Sequence, residues 1–279
     1  MTNAAKTRVA AIQMISIDNL EHNLASAERL LKQAAAAGCE LAVLPENFAI
    51  FGGALFLPAA KQERLDHRVQ TWLSNLAREL NLVIVAGSFP FNLTEKGDVP
   101  NNRVRAVCWV YDESGNCLSR YDKIHLFDVD VADSHGSYKE SENIEPGDAV
   151  VVTKTRNGVI GNSICYDLRF PELFHALRAK GADIFTVPAA FTAVTGAAHW
   201  EVLLRARAIE NQCFVIGAGQ GGKHNATRET YGHSIIIDPW GKVLAKAELG
   251  EAVVMAELDF AELASIRQRM PVFQHKKLV

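Results

Sequence analysis

Three side chains in this sequence have the types and settings that hydrolytic chemistry needs. Cys165 ends an apolar run, GVIGNSI, and opens a polar one, YDLRF, with Pro171 following as a first helical residue. A thiol at a strand end near a helix N-terminus can be exposed and partly activated as thiolate. The competing reading is a buried core cysteine, the commoner fate of a free thiol. The dense polar neighbours Tyr166, Asp167 and Arg169 weigh toward chemistry. Glu46 lies in LAVLPENF, where four apolar strand residues deliver a carboxylate to the strand's end. Active-site groups of layered α/β folds gather at such ends, although a solvated loop glutamate fits the same pattern. Lys123 lies in SRYDKIHLFD on an amphipathic strand, and a surface lysine paired with Asp122 fits that pattern too.

The elements around these residues alternate. Arg8–Ile17 reads as a strand, Asp18 as a helix N-cap, and Leu20, Leu24, Ala27, Leu31 and Ala34 as a helical stripe ended by Gly38. Leu41–Leu44 is a short apolar strand running into Pro45 and Glu46. A second helix spans Leu65 to Leu80, and Leu82–Ala86 is the next strand. Val104–Tyr111 with Cys117–Ile124, and Val150–Thr155 with Val159–Ile164, read as hairpins. A helix from Pro171, a strand at Asp183–Val187, a helix through Trp200 and Ile209, a strand at Cys213–Ala218 and a hairpin over residues 234–247 complete the pattern. An α/β fold follows, with two sheets each covered by helices on its outer face.

Bulk properties narrow the function classes. The 279 residues are 48% hydrophobic, enough for a sizeable core, and no Pro/Gly/Ser-rich linker divides them, so one domain over residues 1–279 is expected. A net charge of −3 provides no field for a polyanion, which argues against a nucleic-acid partner. The opening residues, MTNAAKTRVAAIQMISI, lack a secretory h-region, and no apolar run is long enough to span a bilayer. Five cysteines at scattered positions form neither a CxxC pair nor a zinc-ligand spacing. A cytoplasmic setting with reduced thiols, and no metal, is the expectation.

LAVLPENF, RYDKIHLFD and GNSICYDLRFPELF together resemble the three signature blocks of the nitrilase superfamily of carbon–nitrogen hydrolases, in the same chain order. Three blocks in order are far more specific than any one. The resemblance runs from the first strand to the terminal PVFQHKK. It implies a four-layer α-β-β-α sandwich that commonly dimerises, and a Glu46, Lys123, Cys165 catalytic triad. Glu46 would be the general base, Cys165 the nucleophile, and Lys123 with a backbone N–H near Tyr166 the oxyanion donors. Glu140, seventeen positions after Lys123, matches a second glutamate thought to orient the lysine or the substrate. No cofactor is implied.

The second half, through AAFTAVTGAAHWEVLLRARAIENQCFV, GQGGKH and YGHSIIIDPWG, is similar to the deaminated glutathione amidase branch, with the ω-amidase branch beside it. The implied substrate is a small amide of a 2-oxo acid. Lys223, His224 and Arg228, in the loop Gly219–Arg228, and Arg169 are candidates to meet its carboxylates. A polar loop with solvated charges, and an Arg169 paired internally with Asp167 or Glu172, are the alternatives. The terminal Gln268–Val279 segment is expected at a dimer interface or frayed.

Three other readings weigh less. Gly217 to Gly222 formally fits GxGxxG, but the residues after it lack the helical periodicity that a dinucleotide fingerprint requires. His125, His199 or His233 could serve Cys165 as base in a Cys–His hydrolase. A non-catalytic binding protein would need neither thiol nor ammonium.

Overall fold

The computed structural model describes residues 6–94, 97–132 and 136–277. Residues 1–5, part of the opening read for a leader, and residues 278–279 of the terminal segment lie outside these. In chain order the first half comprises β1 (Lys6–Gln13), α1 (Leu20–Ala36), β2 (Leu41–Val43), α2 (Phe56–Asp66), α3 (Arg68–Leu80), β3 (Val83–Val85), β4 (Phe89–Phe91), β5 (Leu93–Thr94), β6 (Gly97–Asp98), β7 (Arg105–Tyr111), β8 (Cys117–Asp122), β9 (Asp128–Asp130) and β10 (Ser137–Lys139). The second half comprises β11 (Val152–Thr155), β12 (Gly158–Asn162), α4 (Pro171–Ala179), β13 (Ile184–Ala189), α5 (Ala193–Asn211), β14 (Phe214–Gly219), β15 (Ile235–Ile237), β16 (Val243–Lys246), β17 (Ala252–Asp259), α6 (Phe260–Arg269) and α7 (Val272–His275).

One sheet runs β17-β1-β2-β3-β7-β4, with β8 also on β7. The other runs β11-β12-β13-β14-β15-β16. Strands β1, β2 and β3 are mutually parallel, as are β12, β13 and β14, with antiparallel strands flanking both sets. The period-2 geometry of a strand sorts the first sheet's side chains. Val9, Ala11, Leu41, Val43, Val83 and Val85 pack in one core with the second sheet. Ala10, Ile12, Ala42, Leu44 and Ile84 turn outward to Leu24 and Leu31 of α1 and Leu73 and Leu76 of α3. On the second sheet, α4 and α5 form the outer layer through Phe174, Leu177, Trp200 and Leu204. This is the α-β-β-α sandwich. A Cβ at Gly217 would sit 2.8 Å from the Trp200 ring, so the glycine lets α5 approach β14. That is the packing role of a residue whose context formally fits GxGxxG, and the chain runs from Gly222 to β15 without a helix.

Several local expectations change. Asn19, not Asp18, caps α1, its side chain accepting from the His22 N–H. The helix expected from Leu65 is the tail of one and the whole of another. His67 adopts a left-handed conformation between α2 and α3, and Leu65 is 78% exposed. Strand β17 went unread because its partner in the chain is β1, about as far away as the sequence allows. No helix among the described residues is long and apolar enough to cross a membrane.

Candidate active site

Three strand ends converge at one end of the sandwich. The chain leaving β2 delivers Glu46, the chain leaving β8 delivers Lys123, and the chain leaving β12 delivers Cys165. Glu46 is held by its own backbone. Its carbonyl accepts from the Gln220 side chain at 3.0 Å, and the next residue, Asn47, donates its N–H to Ser88 Oγ at 2.9 Å. Gly87 (φ +54) crosses beside Pro45 so closely that a Cβ would lie 2.0 Å from the Pro45 carbonyl oxygen. Cys165 itself has φ +49 and starts a 3₁₀ turn, Cys165–Arg169. A left-handed residue bearing a Cβ is strained, and such strain persists where the surroundings over-determine it.

Lys123 is 1% exposed, so it is neither a surface lysine nor a partner of Asp122, which pairs instead with Arg120. Its Nζ donates to Glu46 Oε1 at 2.8 Å and to the two Glu140 oxygens at 2.7 and 2.9 Å. Glu140 also accepts the Phe127 N–H at 2.7 Å, which fixes the carboxylate independently of the lysine. Burial works against the Lys123 ammonium, but Glu140 and Glu46 outweigh it and hold its pKa well above the ordinary lysine value. Glu140 is pushed the other way from most ion-paired acids: burial, aided by Glu46, raises it against the pull of Lys123.

The thiol departs from expectation. Cys165 is buried, and burial together with the Glu46 carboxylate raises its pKa well above the ordinary thiol range, Lys123 opposing without prevailing. Burial and the neighbouring carboxylate thus favour a neutral thiol over a thiolate. A neutral thiol is a weak nucleophile and needs a neighbouring base to become a strong one.

The three groups open into a cavity of about 360 Å³. Phe51, Phe56 and Ile144 supply apolar wall, Tyr166 lies beside the cysteine, and Thr192, Thr195, Asn225 and Arg228 supply polar wall. Arg228 donates to Tyr138 Oη at 2.8 Å and to the Ala190 carbonyl at 2.9 Å, and makes no ion pair among the described residues. Its neighbours from the same loop go elsewhere. Lys223 is exposed and does not line the cavity, its backbone pairing with that of Glu229 in an isolated antiparallel bridge. His224 is buried, donating Nδ1–H to the Ser16 carbonyl and accepting from Thr230 Oγ1, both at 2.7 Å, while stacking on Phe51 at 3.9 Å. It props a cavity wall and does not face substrate, because its two nitrogens are already spent. Arg169 bonds to His199 Nδ1 at 3.2 Å and lies over the Tyr166 and Phe191 rings. It forms an ion pair with neither Asp167 nor Glu172. The histidines considered as bases have other partners: His125 bonds Asp167, His199 bonds Arg169, and His233 bonds the Tyr231 carbonyl.

Asp167 is the residue whose part the sequence reading missed. It has no solvent exposure and accepts four hydrogen bonds around the cysteine turn. The available signal was its position, three residues after Ile164 at the start of a turn, where a carboxylate bonds a free N–H.

Comparison with known proteins agrees with this geometry. A 42% identical protein of Yersinia enterocolitica, named deaminated glutathione amidase, aligns over 97% of this chain and 93% of its own. The crystal structure of the C. elegans NitFhit protein superposes with a TM-score of 0.87 at 35% identity, over 98% of this chain and 65% of that longer one. Saccharomyces cerevisiae Nit3, a member of branch 10 of the nitrilase superfamily, gives 0.83 at 32% identity, over 96% and 95%. The carbon-nitrogen hydrolase family profile matches residues 8–268, and with the fold and the convergent strand ends this establishes that the chain belongs to the carbon–nitrogen hydrolase family.

Proposed function

We propose that this protein is an amidase that hydrolyses deaminated glutathione to 2-oxoglutarate and cysteinylglycine through a Cys165 thioester. The observation that carries the reading is the buried Lys123 ammonium shared by Glu46 and Glu140, with the Cys165 thiol lining the same cavity. Glu46 takes the thiol proton as Sγ attacks the amide carbon. Lys123 and the Tyr166 N–H stabilise the oxyanion. The attack forms the C–S bond, and collapse of the tetrahedral intermediate re-forms the carbonyl and breaks C–N as Glu46 returns the proton to the departing amine. Glu46 then deprotonates water, whose oxygen attacks the thioester and releases the acid and the thiol. Glu140 holds Lys123 in place throughout and keeps it charged.

Two features support the substrate. Relatives over nearly the whole chain carry that name, and Arg228 presents to the cavity a guanidinium without a carboxylate partner among the described residues. The cavity volume falls in the range of roughly 300–1,000 Å³ that takes organic ligands, and deaminated glutathione is about twice the size of 2-oxoglutaramate. Amine and ammonia release by purified enzyme, with deaminated glutathione and 2-oxoglutaramate side by side, tests the reading. Preference for the first is expected. Preference for 2-oxoglutaramate would move the protein to ω-amidase chemistry with the same mechanism, and turnover of neither would overturn the substrate.

The reading extends to a cytoplasmic homodimer. Free thiols suit a reducing compartment. Val202 and Ile209 on α5, with Met270, Val272 and Phe273 beyond α6, leave apolar surface uncovered. Mass in solution near twice 30.6 kDa is expected, and a monomer that retains activity would remove the dimer from the proposal.

A further inference from the structure

Asp167 joins the two strand ends that the chemistry needs. Its Oδ2 accepts the Ile164 N–H at 2.8 Å and the Tyr121 hydroxyl at 2.6 Å. Its Oδ1 accepts the His125 N–H at 3.0 Å and His125 Nδ1–H at 2.7 Å. Tyr121 and His125 stand two positions either side of Lys123, and Ile164 directly precedes Cys165. One carboxylate therefore brackets the lysine on the first sheet and the cysteine on the second. His125 is fixed further by a stack on Phe170 at 3.7 Å, within 7° of parallel, at the far end of the cysteine turn. The bond to the Ile164 N–H also restrains the peptide entering Cys165, whose φ of +49 needs an outside constraint to persist.

We propose that Asp167 is a positioning residue that sets the separation and orientation of Cys165 relative to Lys123, and with them the Tyr166 N–H. It touches neither substrate nor reacting atoms. Its effect passes through the entry to the cysteine turn and the end of β8, because its four donors belong to Ile164, just before that turn, and to Tyr121 and His125 on either side of Lys123. The inference rests on the amidase reading only for the roles of Cys165 and Lys123.

Asp167→Asn turns one acceptor oxygen into a donor that faces two existing donors, so one side of the bracket opens without loss of volume. A displacement of the order of 1 Å at a reacting group costs about 100-fold in rate, so kcat is expected to fall about 100-fold with KM within about threefold. Tyr121→Phe removes a single donor and is expected to lower kcat about tenfold. Peptide-resolved alkylation by iodoacetamide provides a readout that needs no substrate: the rate at Cys165 should drop in both variants while exposed Cys117 reacts as in wild type. Wild-type kcat and wild-type Cys165 alkylation in variants whose melting temperature has dropped would overturn the inference and leave Asp167 a stabilising group only. Should Asp167→Asn fail to fold, Tyr121→Phe decides alone, and an unchanged kcat and alkylation rate there overturn it equally. If wild-type protein turned over no amide, the proposed function would fail while the alkylation ratios still judged the bracket.

Discussion

The floor and the rim of the cavity are built on opposite terms. On the floor, Glu46, Lys123 and Cys165 are each at most 8% exposed and sit immediately beyond strands, with Lys123 ion-paired to both Glu46 and Glu140. On the rim, Arg228, Asn225 and Thr227 hang from a loop that crosses to Tyr138 of β10, and Arg228 is only half-buried. A reacting group has to be right to within a fraction of an ångström, which buried strand ends can provide. Recognition of a flexible acidic amide asks for charge and reach, which a loop supplies. Floor variants should therefore strike kcat, and rim variants KM.

The largest effect tests the floor. Cys165→Ala is expected to lower turnover by at least about 10⁴-fold, as loss of a nucleophile does, while the melting temperature moves little, since one sulfur leaves a small cavity. Turnover near wild type in a single-turnover assay would sink the thioester route. Lys123→Met comes next. It removes an oxyanion donor, worth about 100- to 1,000-fold in kcat, and leaves Glu46 and Glu140 buried without their shared cation. Breaking such a buried pair costs about 3–5 kcal/mol, so the urea midpoint should drop along with kcat. A variant that lost activity at unchanged stability would mean that the two carboxylates do not depend on the lysine in the way their distances indicate.

The floor was legible in sequence chiefly because its three blocks, in order, resemble those of a known family. Read locally, LAVLPE and GVIGNSICYD each show an apolar strand that stops at a polar group, whereas RYDK lies on an amphipathic strand where a surface lysine fitted as well. What stayed hidden depends on what lies across the space between elements. The thiol's burial, which reverses the expected activation, is set by the opposing sheet and by Glu46. The Asp167 bracket spans residues 121 to 167, so its local half, the bond to the Ile164 N–H, was readable and its long-range half was not. His224 was misread because loop composition says nothing of depth: its Lys and Arg neighbours reach solvent or the cavity, while its ring is stacked under Phe51.

The rim predictions are smaller. Arg228→Met is expected to raise KM for an acidic amide by about 10- to 100-fold, since a hydrogen bond to a charged group contributes about 1.5–3 kcal/mol, with kcat within about threefold. An amide lacking the carboxylate should show no such penalty. A fall in kcat with KM untouched would instead make Arg228, through its bond to the Ala190 carbonyl, a brace of the floor.

His224 bears on the same wall through stability. Burial, aided by Arg228 and resisted by the bond to the Ser16 carbonyl, lowers its pKa from 6.5 to about 4. The folded state thus holds the neutral ring, which suits its one donating and one accepting nitrogen. The unfolded chain takes up a proton near pH 6.5 and the folded chain only near pH 4, so stability is full above pH 6.5 and declines as the pH falls toward 4. The loss amounts to roughly 3 kcal/mol at the lower end. Gln at this position can keep a donor and an acceptor without titrating there. His224→Gln should therefore flatten the decline in the urea midpoint between pH 7 and pH 4.5, and raise KM no more than a few fold by loosening Phe51. An identical acid-side decline in the variant would mean that the ring is not held neutral, and that the wall behind Phe51 is looser than its 2.7 Å bonds indicate.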